Sequence, residues 1–157
     1  MAVCLKKLSS KDIYNFLPLW KKQIELHHDL DPVYYSAYNE EKEIAYWENA
    51  IEINSPVILC AWDANKIVGF ISFKVDKSEY PDTNITEYGE IKELFVDEEY
   101  RNRGIAAFML HKTEAYFTSK HVKWIKLSSS TFNTKAKHFY EHIGYTNRTT
   151  LFYKEIK

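Results

Sequence analysis

The sequence predicts a single α/β domain built on a mixed sheet, and three observations carry that prediction. Its 157 residues fit one domain, large enough to bury about 70% of the unfolded surface. Segments of strand period alternate with segments of helical period. No internal repeat, linker or low-complexity stretch interrupts them. The order of elements reads β-α-α-β-β-β-α-β-α-β-β.

Residues 2 to 8 alternate weakly and begin a first strand. Ser9 or Ser10 then offers an N-cap, with Asp12 in the first turn, and Ile13, Phe16, Leu17, Trp20 and Ile24 recur at helical spacing. Pro18 lies inside that stripe and is expected to kink or restart the helix. Residues 29 to 38 read as an irregular aromatic loop. A second helix runs from about Glu40 to Ile53, turning Ile44, Trp47 and Ile51 inward, until Pro56 ends it. Strands 57 to 62 and 66 to 75 form a hairpin. A polar loop leads to a strand at 87 to 96, an acidic turn, and a helix from Gly104 to about Lys120. A strand at 124 to 129 and a helix from Asn133 to His142 follow, and Gly144 stops that helix. The segment from Tyr145 to Ile156 supplies one or two last strands.

Composition narrows the function. There are 4 glycines, where average usage would give about eleven, and no two stand close enough for a G-x-x-x-x-G-K-[ST] loop or a G-x-G-x-x-G fingerprint. Walker-type NTPases and ordinary dinucleotide dehydrogenases are excluded. The apolar runs 57 to 62 and 105 to 110 are far shorter than the roughly 20 residues of a membrane span. The first residues lack an apolar stretch of signal-peptide length, and two isolated cysteines build neither a disulfide framework nor a thiolate cage. A cytoplasmic protein with no membrane partner is expected.

The net charge of −1 conceals an asymmetry: residues 1 to 100 carry a balance of −9 and residues 101 to 157 a balance of +8. Either these charges solvate surface, or one half meets cations and the other anions. A nucleic acid partner is not expected, because aromatics in the basic third fall at helical core spacing rather than on a stacking platform. His138 to His142 match H-x-x-E-H, but only 15 residues follow, which leaves a third ligand and a cleft hard to supply. No metal is expected.

The informative unit is the strand 90 to 96, its turn, and R-N-R-G-I-A-A-F-M-L at 101 to 110. A strand that feeds through a tight turn into a helix aims unpaired backbone N–H groups and the positive helix end at one spot. That arrangement binds an anion, pyrophosphate being the natural guest. E-I-K-E-L-F-V-D-E-E-Y-R-N-R-G-I-A resembles motif A of the GNAT superfamily of acyl-CoA-dependent N-acetyltransferases, and N-T-K-A-K-H-F-Y-E-H-I-G-Y (133 to 145) resembles its motif B. The resemblance is specific over about 88 to 147. It implies a GNAT-like fold: a mixed, mostly antiparallel sheet with a splayed parallel strand pair, flanked by about four helices. Within one domain over 1–157, it assigns 1–56 to acceptor-side helices, 57–120 to a coenzyme pyrophosphate unit and 121–157 to the C-terminal motif and strands.

Carried over residue by residue, the resemblance places the pantetheine arm and thioester along Leu94, Phe95 and Val96. It places the pyrophosphate on Arg101, Asn102, Arg103, Gly104, Ile105 and Ala106. Asn133 would bond the pantetheine arm, or serve as an N-cap, and Tyr140 would stand near the thioester sulfur. Acetyl-CoA is the implied co-substrate, a small-molecule or peptide amine the acceptor, and a homodimer through the last strands the implied assembly. The alternative is a non-catalytic acyl-CoA sensor of the same fold.

The chemistry asks for a base, since an amine with a pKa of about 10 is protonated at neutral pH. Glu90 and Glu93 both lie on the strand beside the thioester position. Alternation points them to opposite faces unless a bulge intervenes, so one serves; Glu93 sits nearer the acyl carbon. Tyr140 could protonate the leaving thiolate, although Ala136, Phe139, Tyr140 and Ile143 also form a stripe at core spacing.

Overall fold

A computed structural model describes residues 3–156. Strands β1 (Cys4–Lys7), β2 (Val57–Asp63), β3 (Lys66–Lys77), β4 (Glu87–Val96) and β5 (Ile125–Leu127) lie in sequence order in one five-stranded sheet. All neighbours are antiparallel except β4 and β5, which run parallel. Helices α1 (Ile13–Leu30) and α2 (Glu40–Ile53) cover one face, and α3 (Ile105–Ser119) with α4 (Thr134–His142) the other. The predicted mixed sheet and four helices are therefore present. Ala2, where the first strand was expected to begin, lies outside the described residues.

Each face has its own core. On the α1 and α2 side, Phe16, Trp20, Trp47 and Phe70 meet at ring-centroid separations of 4.8 to 6.2 Å, mostly edge to face. Such pairs add about 0.5 to 1.5 kcal/mol each beyond the area they bury. Trp20 donates from Nε1 to Glu43 Oε2 at 2.6 Å, tying α1 to α2. The other core joins Ile71, Phe73 and Ile91 of the sheet to Met109, Leu110 and Phe117 of α3.

Two expectations require correction. Helix α1 runs unbroken through Pro18 and does not restart. Proline removes one N–H bond from the ladder, but Ile13, Phe16, Leu17, Leu19 and Trp20 bury their side chains on both sides of it, and their packing outweighs one lost bond. The last strands are also absent: residues 146–156 form no strand, and Leu151, Phe152 and Ile156 are exposed. Their apolar character is real, but nothing among the described residues covers it, and a strand needs a partner edge to satisfy its backbone. Tyr153 alone returns to the body, stacking on Tyr34 and donating to Asp31 at 3.1 Å.

Gly89 shows how tightly α3 lies on the sheet. A Cβ there would stand 2.4 Å from the Phe117 ring, which is itself wedged against Phe73 and Tyr116. Gly89→Ala is expected to lower unfolding stability by about 1 to 3 kcal/mol, read as a lower urea midpoint. An unchanged midpoint would show that the ring has room to move.

Candidate active site

The site starts where two parallel strands part. Strands β4 and β5 pair only through Gly89–Ile91 and Ile125–Leu127. From Glu93 to Val96, β4 is paired to β3 alone among the described residues, so its outer backbone groups are open to a ligand. Tyr140 of α4 packs on the same cluster as Leu94, and the turn into α3 follows β4 directly.

That turn is held from below. Asp97, 2% exposed, accepts from Lys22 of α1 at 3.0 Å and pairs with Lys66 at 3.4 Å. Burial alone would raise its pKa, but the bonds and charge of the two lysines hold it below the usual value. Arg101 donates through Nε to Val96 O at 3.1 Å and Arg103 through Nη2 to Glu99 O at 2.6 Å. Both guanidiniums lie over aromatic rings, of Phe95 and Tyr100 respectively. Gly104 takes a left-handed conformation, φ +76, as the residue before α3, and a Cβ there would meet nothing within 4 Å. The first helical bond runs from Phe108 N to Gly104 O, which leaves the preceding amides of Ile105 and Ala106 without a helical acceptor. The first turn of α3 holds no acid and no side-chain cap. An uncapped helix end with two arginines beside it and open space over a glycine fits a phosphate group.

The carboxylates sit along the open strand. Ser72 pairs with Glu93 and the next residue, Phe73, with Ile91, so Lys92 has no partner and the side-chain alternation slips by one. Ile91 and Leu94 consequently both pack toward α3. The bulge intervenes, and Glu90 and Glu93 share the face toward α1 and α2. Their surroundings distinguish them. Glu90 is ringed by Lys74, Lys92 and Lys126 at 3.6, 3.7 and 3.8 Å. Glu93 is half-buried, accepts through Oε2 from Gln23 Nε2 of α1, and has a pKa raised to about 7 by desolvation, against the opposing effects of Gln23 and Lys92.

Three tyrosines from three elements surround that carboxyl group. Burial first, and the Glu93 charge next, raise the pKa of Tyr35 in the loop after α1 and of Tyr46 in α2. The same two causes push Tyr140 of α4 up to about 12. His27 packs 4.8 Å from the Tyr35 ring, and burial lowers its pKa. Near Glu93 the chain thus gathers one carboxyl group of raised pKa, an amide and tyrosine rings on which its charge acts, groups able to meet a cationic amine.

Over residues 24–145 the sequence matches the Acetyltransferase (GNAT) family. The chain belongs to this family. A search of curated proteins found no match. Among solved structures, a tetramutant of the BH1408 protein from Bacillus halodurans is 20% identical, with a TM-score of 0.87 over 98% of this chain and 99% of that one. An aminoglycoside 6'-N-acetyltransferase from Acinetobacter haemolyticus is 13% identical, with a TM-score of 0.79 over 98% of each chain. A predicted acetyltransferase from Clostridium acetobutylicum, solved with acetyl-CoA, is 19% identical, with a TM-score of 0.77 over 98% and 96%. All three share the GNAT fold with this chain.

On this GNAT framework, the residues singled out from the sequence lie on β4, the turn after it and α4. Leu94, Phe95 and Val96 lie on the open part of β4, and Arg101 to Ala106 on the turn below it. Asn133 caps α4, accepting from Ala136 N at 3.1 Å, which leaves its side-chain NH2 as the group it can offer a ligand. Tyr140 packs with Phe139 and Ile143 against the α3 core, so it is both a core aromatic and a residue of the cleft. Gln23, Tyr35 and Tyr46 were not legible as site residues. A signal existed for Gln23: it falls on the apolar stripe of α1, 3% exposed beside Phe16, Leu19 and Trp20.

Burying Glu93 has a cost. Its unfolded pKa is the lower one, so folding must take up a proton above that value, and the penalty grows with pH until it levels off above about 7. At pH 8 it amounts to about 3 kcal/mol. Glu93→Gln is expected to raise the urea midpoint at pH 8 and to do so much less at pH 5. Equal effects at both values would show that Glu93 titrates normally.

Proposed function

We propose that this protein is an acetyl-CoA-dependent N-acetyltransferase that moves an acetyl group to a primary amine by direct attack in a ternary complex. The observation that carries the reading is the half-buried carboxyl of Glu93, tuned to about 7, beside the open edge of β4 and across from Tyr140. Family membership, the uncapped α3 terminus and the aminoglycoside acetyltransferase among its structural neighbours support it. The acceptor side is formed by α1, α2 and the loop between them, and a small cationic or lysine-like amine suits its carboxylates and tyrosines.

Acetyl-CoA supplies an acyl carbon activated by a thiol leaving group. The α3 terminus with Arg101, Asn102 and Arg103 holds the pyrophosphate, and the backbone of Leu94, Phe95 and Val96 aligns the arm and steadies the oxyanion. Asn133 bonds the same arm from α4. Glu93 accepts a proton from the bound ammonium, which frees the lone pair that attacks the acyl carbon, and the nitrogen sheds its second proton to solvent once the C–N bond has formed. The C–S bond then breaks, and Tyr140 donates to the departing sulfur. The Glu93 charge is one reason Tyr140 holds its proton so firmly; once the amine proton neutralises Glu93, that restraint is lifted when the thiolate needs a donor. Glu90, tied to three lysines, is not the base.

Below about pH 7 Glu93 is protonated and cannot accept a proton, so kcat/KM is expected to fall tenfold per pH unit on the acidic side. Glu93→Gln should lower kcat by 10²-fold or more and remove that limb, and Tyr140→Phe should lower kcat by about 10²-fold with coenzyme binding retained. Thiol release from acetyl-CoA against a panel of cationic, neutral and acidic amines measures all three. Release with neutral or acidic amines alone would defeat the electrostatic choice of acceptor, and no release with any amine would favour a non-catalytic acyl-CoA-binding protein.

A further inference from the structure

Gln23 is the polar residue of an otherwise apolar stripe, and its amide is half used. Nε2 donates to Glu93 Oε2. Oε1 is buried with no hydrogen-bond partner among the described residues. A residue chosen for packing between Leu19, Trp20 and the sheet would be leucine or methionine, because a buried amide group left unbonded is unfavourable. The unused carbonyl therefore calls for an explanation in the chemistry of its only neighbour.

An amide is one of the few neutral groups that can bond both a carboxylate and a carboxylic acid, the ionised form more strongly. Its NH2 donates to the ionised form, and after half a turn about its terminal bond its carbonyl accepts from an acid O–H. We propose that Gln23 is the positioning residue of the base: it engages Glu93 through Oε2 in both protonation states and so keeps Oε1 turned toward the acceptor amine. The inference rests on Glu93 as the proton acceptor. In the ionised state Gln23 N–H bonds Oε2, and the amine proton arrives on Oε1. When the proton instead resides on Oε2, the turned amide accepts it, and the carboxyl group keeps its orientation without help from water.

The groups facing Glu93 leave this role to Gln23. Lys92, on the same strand, is the cation that lowers its pKa, and it is exposed and also paired with Glu90. Tyr35, Tyr46 and Tyr140 face it as neutral hydroxyls from the loop, α2 and α4. Lys74 of β3 acts on Tyr46 and is itself bound to Asp76 and Glu90. Gln23 thus supplies the one hydrogen bond that favours the ionised base.

Gln23→Met keeps length and volume, so at pH 5 the variant should unfold at the same urea midpoint as the wild type or a higher one. Its acidic limb in kcat against pH is expected to move up by about one unit. Thiol release should then fall about fivefold at pH 7 and recover toward wild type at pH 9, with KM for acetyl-CoA unchanged. Gln23→Glu should move the limb further, since two facing carboxyl groups share a proton. A Gln23→Met profile that superimposes on the wild type, or a uniform loss at every pH, overturns the positioning role while Glu93→Gln remains inactive. If Glu93→Gln keeps full activity, the base assignment itself fails and this inference with it.

Discussion

One unpaired residue organises the cleft. Lys92 is the extra residue where β4 slips past β3 between Ser72 and Phe73, and the slip shifts every side chain after it by one place. Without the slip, Glu93 would point toward α3, into a cluster of Ile71, Phe73 and Phe117, and Glu90 alone would face α1 and α2. With it, Glu93 lies under α1 against Gln23, while Leu94 and Val96 still close the α3 core. The pairing with β5 ends at the same point, after Ile91. One irregularity thus coincides with the opening of the backbone edge and sets the carboxyl group beside it. A bulge is a stable way to do both, because it leaves the ladder on either side intact.

Two chemically similar carboxylates then diverge through their neighbours. Three lysines gather around Glu90 within 4 Å and occupy its oxygens. Glu93 meets hydroxyls, an amide and aromatic walls, and desolvation raises its pKa. The same desolvation that raises its pKa costs stability. Asp97 is the opposite case: more fully enclosed, at 2% exposed, it is satisfied by Lys22 and Lys66 and anchors the turn that carries the arginines and Gly104.

The elements themselves were largely legible. Helix α2 begins and ends at Glu40 and Ile53 as its pattern predicts, with Asn39 as the cap accepting from Lys42 N at 3.1 Å. Strand β4 likewise spans the predicted residues. Where the reading failed, tertiary context decided. Pro18 signals a break, yet buried residues before and after it hold α1 together. The segment after Gly144 was expected to supply last strands, but strands are made by partners, and this one finds none among the described residues.

The sequence by itself determined the alternation of elements and picked out the turn before α3, the two candidate carboxylates and Tyr140, because these depend on local spacing and residue type. It left open how Glu90 and Glu93 differ. That difference depends on a register slip set by pairing with β3, and on Gln23, which lies 70 residues away along the chain and meets Glu93 only when α1 packs on the sheet. Desolvation and long-range contact are properties of the folded molecule, and no local pattern encodes them.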